Sequence, residues 1–168
     1  MTLRLILVRH AKSSWADPGQ PDQDRPLNKR GRKAAAAMGA WLAARDCCPA
    51  EVVTSPARRT LETWERMAPA FPADTLMRRE PALYDADPEA MVAVLRHCAV
   101  TPVLMLGHNP GISEFAASLL KQTPDHPKFA TYPTCAALIA DFEIEDWADL
   151  RPGTGRAVDF VTPSDLSD

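Results

Sequence analysis

Residues 3–8, "LRLILV", form a short branched apolar run broken only by Arg4 and closed by Arg9 and His10. A run of that length, bounded by polar residues, predicts a buried strand. Residues 16–27, "ADPGQPDQDRPL", carry the proline, aspartate and glycine of a loop. Asn28 then offers an N-cap to a helix running to about Arg45, with Met38, Trp41 and Leu42 on one face. "EVVT" at 51–54 predicts a second strand. A helix follows, with Ser55 expected as its N-cap, Pro56 as its first residue, and Ala57, Leu61, Trp64 and Ala68 on one face. A weak strand at about 75–79 and a helix from Pro88, with Met91, Leu95 and Cys98 at helical spacing, come next. "PVLMLGH" (102–108) predicts a strand. In "NPGISEFAASLL" (109–120), Ile112, Phe115, Ala116, Leu119 and Leu120 share a helical face. Residues 135–142 and 156–161 complete the pattern as late strands.

Strands alternating with helices predict an α/β fold, a three-layer α/β/α sandwich around a mostly parallel open sheet. No internal repeat or linker divides the chain, so one domain over 1–168 is expected. In such sheets ligands bind beyond the carboxyl ends of the strands. His10 falls at the end of the first strand, Ser55, Arg58 and Arg59 just past the second, and His108 at the end of the fourth. Three separate segments thus deliver histidines and arginines to one rim.

Composition narrows the partners. A formal net charge of −3 and a pI near 5.8 give no general basic surface for nucleic acid. No apolar run is long enough to span a membrane, and the N-terminal one is too short for a signal peptide. Cys47, Cys48, Cys98 and Cys135 show neither zinc nor disulfide spacing, which predicts reduced thiols in a cytoplasmic protein. Arginine outnumbers lysine 14 to 5, and arginine is the better bidentate binder of phosphate.

Taken singly, each rim residue has a plain structural explanation. A strand-end histidine is commonly structural, Arg9 could be a solvated charge, Arg58 and Arg59 an exposed helix face, and "GHNPG" (107–111) a turn. Together they suit an anion site. Arginines hold a tetrahedral phosphate, and helix N-termini add amide donors. A neutral imidazole attacks phosphorus, while a second, protonated one stabilises the transition state. The chain has no C-x5-R cysteine loop, no GxxxxGK[ST] and no GxGxxG. Asp22, Asp24, Asp85 and Asp87 lack convincing metal-ligand spacing.

"LVRHAKSSW" (7–15) resembles the Arg-His-Gly-type signature of the histidine phosphatase superfamily, with Ala11 in the glycine position. "RPLNKRG" (25–31), "TSPARRTLETW" (54–64), "LYDADPEAM" (83–91), "VLMLGHNPG" (103–111) and "FVTP" (160–163) are similar to its short, SixA-like phosphohistidine phosphatase branch. The resemblance implies the histidine phosphatase (phosphoglycerate mutase-like) fold without a large lid insertion. It implies His10 as nucleophile, His108 as second catalytic histidine, and Arg9 and Arg59 as phosphate binders. Arg25 would stand near the pocket mouth. Arg59 matches the second arginine by its spacing, four residues after Ser55 and four before Thr63; Arg58 is its neighbour. No metal or other cofactor is implied. The larger relatives' lid glutamate has no counterpart, which leaves Asp85 and Glu80 as candidate proton donors, although Asp85 also reads as a capping or turn residue. An open pocket suits phosphohistidine protruding from a partner protein. A small phosphate ester as substrate, or a non-catalytic phosphoprotein-binding module, remain alternatives, and no role is assigned to Lys12.

Overall fold

The computed structural model describes residues 1–166; residues 167 and 168 of the expected domain lie outside the described residues. The chain runs β1 (Leu3–Arg9), α1 (Lys29–Ala44), β2 (Glu51–Thr54), α2 (Arg58–Met67), β3 (Leu76–Arg79), α3 (Pro88–Arg96), β4 (Val103–Gly107), α4 (Gly111–Leu119), β5 (Ala137–Phe142), β6 (Arg156–Val161) and α5 (Pro163–Leu166). The six strands form one open sheet in the order β3-β2-β4-β1-β5-β6. β1 to β4 are parallel; β5 runs antiparallel to β1, and β6, antiparallel to β5, closes that side in the direction of β1.

The alternation of β1 explains the layering. Leu5 and Leu7 belong to the core under α3 and α4, and Ile6 and Val8 to the core under α1 and α2. All four are fully buried, each worth about 1.5–3 kcal/mol of burial. β3 is the exposed edge, where Leu76 and Met77 face solvent.

Local signals set most helix boundaries. Asn28 caps α1, its Oδ1 accepting the Gly31 amide at 2.8 Å, and Asp87 caps α3 by accepting from Ala90 at 2.9 Å. Gly31 lets α1 approach the chain just past β1: a Cβ there would stand 2.1 Å from the Lys12 carbonyl oxygen. The start of α2 departs from expectation. Ala57, not Ser55, is its N-cap residue; the hydroxyl of Ser55 meets both the Ala57 amide and His108. The buried face of α2 is Arg59, Thr60, Thr63, Trp64 and Met67 rather than the apolar stripe through Leu61. Of the cysteines, all free, Cys47, Cys98 and Cys135 are buried and Cys48 is partly exposed.

Candidate active site

Sheet register brings the two histidines together. Arg9 of β1 is aligned with Gly107 of β4, so His10 and His108 leave adjacent parallel strands side by side. Their ring centroids are 5.3 Å apart. On the other side of β4, Thr54 is aligned with Leu106, and the Ser55 amide donates to the Leu106 carbonyl at 3.1 Å. Ser55 therefore emerges beside His108, and its Oγ lies 2.8 Å from His108 Nε2.

His10 is fixed at both backbone groups. Its amide donates to Gly107 O at 3.1 Å, and its carbonyl accepts the Cys135 amide at 3.0 Å. The side chain is oriented by a 2.7 Å hydrogen bond from Nδ1 to the Ala11 carbonyl. A carbonyl only accepts, so the ring proton resides on Nδ1 and Nε2 carries the lone pair. Burial, and secondarily the charges of His108, Arg9 and Arg59, lower the His10 pKa to about 3, while the Ala11 hydrogen bond opposes the shift. The imidazole is neutral at physiological pH. Ala11 takes the glycine position without strain, since positive φ among the described non-glycine residues is confined to Asp46, Tyr132 and Cys135. Its amide donates to Thr63 Oγ1 at 2.9 Å, tying this loop to α2.

Arg9 donates from Nη1 to the Tyr132 carbonyl at 3.1 Å, and the Tyr132 hydroxyl donates to Leu7 O at 2.5 Å. Burial first, and the charge of Arg59 second, lower the Arg9 pKa. Arg59 is buried. Its Nη1 and Nη2 donate to the backbone oxygen and Oδ2 of Asp22 at 2.8 and 3.0 Å, and its carbonyl accepts from Thr63 Oγ1 at 2.7 Å. Burial, with the nearby Arg59 charge, lowers the His108 pKa to about 4. Ser55 Oγ accepts the Ala57 amide at 3.3 Å and shares a second hydrogen bond with His108 Nε2, which leaves Nδ1 as the ring nitrogen open to another partner. Among the described residues, Arg9 Nε, Arg59 Nε and His108 Nδ1 are buried without a hydrogen-bond partner.

The neighbours sort the remaining sequence candidates. Arg25 is buried, donates to Ser13 Oγ at 2.6 Å and to Asp22 Oδ1 at 3.3 Å, and stacks over the exposed Trp15 ring at 3.6 Å. Arg58 is exposed and pairs along its own helix with Glu62 at 3.3 Å. Glu80 is not brought into the histidine–arginine cluster: its carboxylate pairs with Arg78 at 2.7 Å, beside the exposed edge strand. Asp85 is exposed, one residue beyond Tyr84, whose ring meets His108 edge-on at 5.6 Å. Lys12 is exposed. Among the described residues, no group of three or more His, Cys, Asp or Glu is placed to hold a metal ion.

Sequence reasoning missed Asp22 as a partner of the arginines, and missed Tyr84, whose hydroxyl donates to Asp22 Oδ2. The signal for Asp22 was its spacing three residues before Arg25, a common distance for a local ion pair. Nothing local pointed to Tyr84, which arrives from another part of the chain.

A sequence model of the histidine phosphatase superfamily (branch 1) matches residues 5–91. An uncharacterised protein of Mycobacterium tuberculosis is 32% identical over 164 residues, covering 93% of this chain and 99% of that one. A solved structure from Nakamurella multipartitia that carries the name phosphohistidine phosphatase SixA superposes with a TM-score of 0.82 at 25% identity, covering 97% of both chains. A protein histidine phosphatase SixA complexed with tungstate shares the fold, with a TM-score of 0.80 at 22% identity over 98% of this chain and 100% of that one.

Proposed function

The chain belongs to the histidine phosphatase superfamily, and from that premise we propose that this phosphatase hydrolyses phosphohistidine on a partner protein through a phosphohistidine intermediate on His10. The observation that carries the mechanism is the His10 Nδ1 to Ala11 carbonyl hydrogen bond of 2.7 Å, which leaves an unprotonated Nε2 among Arg9, Arg59 and His108. In the first step Nε2 attacks phosphorus. The P–N bond to the substrate imidazole, which is protonated on its remote nitrogen, breaks with its electron pair staying on the leaving nitrogen, so the ring departs neutral as a P–Nε2 bond forms. The positive charge that develops on the His10 ring is stabilised through Nδ1–H by Ala11 O. In the second step water attacks phosphorus, the P–Nε2 bond breaks, and dihydrogen phosphate leaves with neutral His10 restored.

Arg9 Nε, Arg59 Nε and His108 Nδ1 are buried without a partner among the described residues, and in this reading the two guanidinium groups and the protonated His108 ring turn to the phosphoryl oxygens. Each costs about 1–3 kcal/mol while unsatisfied, a cost that an oxyanion relieves. Neutral in the free site, where burial and the arginine charges outweigh the Asp22 carboxylate, His108 gains affinity for a proton once a phosphoryl dianion arrives, and then acts as a cationic stabiliser.

A histidine-containing peptide phosphorylated with phosphoramidate tests the substrate class against glycerol phosphate and phosphoserine. The proposal expects kcat/KM on the phosphohistidine peptide to exceed both by about 10²-fold or more, the scale of the general-acid contribution that an alkoxide leaving group needs and a protonated imidazole does not. Preference for an alcohol phosphate would overturn it.

A further inference from the structure

Asp22 opens a 3-10 turn (Asp22–Asp24) in the loop after β1 and is gripped from three directions. Arg59 donates to its Oδ2 at 3.0 Å and Arg25 to its Oδ1 at 3.3 Å, and the Tyr84 hydroxyl donates to Oδ2. The same carboxylate is 49% exposed, so it faces outward from the phosphate-binding arginines as well as toward them. It is joined to the chemistry on its inner side, because Tyr84 meets His108 edge-on and His108 stands against His10. A carboxylate accepts about four hydrogen bonds. Arg59, Tyr84 and Arg25 use three.

Such a group does not serve as the missing acid. The Tyr84 hydrogen bond first, and the Arg59 and Arg25 contacts after it, hold its pKa at about 2 against the opposing effect of burial, so it has no proton to give at neutral pH. What it offers is an ionised acceptor. An alkoxide leaving group carries negative charge and needs a proton, so an ionised carboxylate beside it is unfavourable. The imidazole of phosphohistidine differs: its nitrogen remote from phosphorus is basic, and once protonated it presents an N–H and lets the ring depart neutral.

Building on the phosphohistidine reading, we infer that Asp22 is a specificity-determining residue, whose carboxylate accepts the remote N–H of the leaving imidazole and disfavours alcohol phosphates. In the step it serves, the P–N bond breaks, its electron pair stays on the leaving nitrogen, the proton remains on the remote nitrogen, and the P–Nε2 bond forms on His10. The contact is charge-assisted and holds the ring in its protonated form, since a neighbouring carboxylate favours the cation.

Asp22→Asn tests this. The amide keeps an oxygen for Arg59 but loses the charge. kcat/KM is measured for the phosphorylated histidine peptide and for p-nitrophenyl phosphate, whose leaving group needs neither a proton nor an N–H acceptor. The ratio of the two should fall by about tenfold or more in the variant, the size of a lost charge-assisted hydrogen bond. The alkaline limb of the phosphohistidine profile should also move to lower pH, a change that mere repositioning of Arg59 does not produce. Asp22→Glu, which keeps the charge, should restore part of the ratio. An unchanged ratio with an unmoved limb would overturn the inference and leave Asp22 as a support for Arg59. If the wild type hydrolysed p-nitrophenyl phosphate but not the phosphohistidine peptide, the functional reading would fail first, and this inference with it.

Discussion

Ser55 Oγ stands 2.8 Å from His108 Nε2, although 53 residues separate them in the chain. The contact follows from two adjacent parallel strands that end at the same level, and it commits one ring nitrogen of His108. Ser55→Ala should therefore lower kcat about tenfold, the worth of one hydrogen bond near the upper end of the usual range. Nitrogen-15 NMR of the imidazole should show a single tautomer in the wild type and a mixed population in the variant. Unaltered kinetics and tautomer would show that the contact sets nothing.

The adjacent arginines should separate cleanly. Arg59 is buried against Asp22 and Thr63, and Arg58 is exposed on the far side of the same turn with Glu62. Arg59→Ala should reduce kcat/KM by about 10²–10³-fold, as losing a preorganised donor to developing charge does. Arg58→Ala should stay within about threefold, since an exposed pair contributes little. Equal losses would mean that both side chains reach the phosphate.

What could be read from the chain and what could not have separate physical causes. β1, β2 and β4 were legible because short buried parallel strands are continuous apolar runs. Asn28 and Asp87 were legible as caps because a cap acts within three residues of itself. His10, Arg9 and His108 stood out because strand ends in this fold class share a rim. Ser55 lies two residues before the actual N-cap, Ala57, and its contact with His108 was hidden because that partner is distant in sequence. The polar buried face of α2 was hidden for a related reason: Arg59, Thr60 and Thr63 are buried by contacts with the loops around the rim, not by apolar periodicity. The reversal of β5 against β1, and the Tyr132 hydroxyl on Leu7 O, are settled by pairing across more than a hundred residues.

Stability should fall on mild acidification. His10 and His108 bind protons at about 3 and about 4 in the folded chain, against 6.5 for an ordinary histidine. The unfolded chain therefore takes up more protons as pH drops below about 6.5, and folding stability is lost through that window. Asp22 acts lower, because its pKa of about 2 lies below the ordinary 3.8, so its contribution is lost only under stronger acid. Calorimetry should show a Tm lower by about 5 °C or more at about pH 5 than at about pH 7.5. His108→Gln should shrink that difference, and an equal slope in the variant would contradict the assignment.

Arginine, imidazole and amide donors supply the positive charge in the proposed chemistry. Activity on the phosphohistidine peptide should then change by less than about twofold after exhaustive chelation, whereas an ion acting as Lewis acid contributes several kcal/mol. Loss on chelation with recovery on adding a divalent ion would require different chemistry.

The central claim is that His10 Nε2 takes the phosphoryl group. Rapid quenching into alkali during turnover of a phosphorus-32-labelled phosphohistidine peptide tests it directly, since phosphohistidine survives base and is destroyed by acid. The wild type should carry acid-labile label within the first turnover, mapped by mass spectrometry to His10, and His10→Ala should carry none and turn over about 10³-fold more slowly or less. Wild-type turnover with no labelled enzyme, label on another residue, or undiminished hydrolysis by His10→Ala would contradict the account.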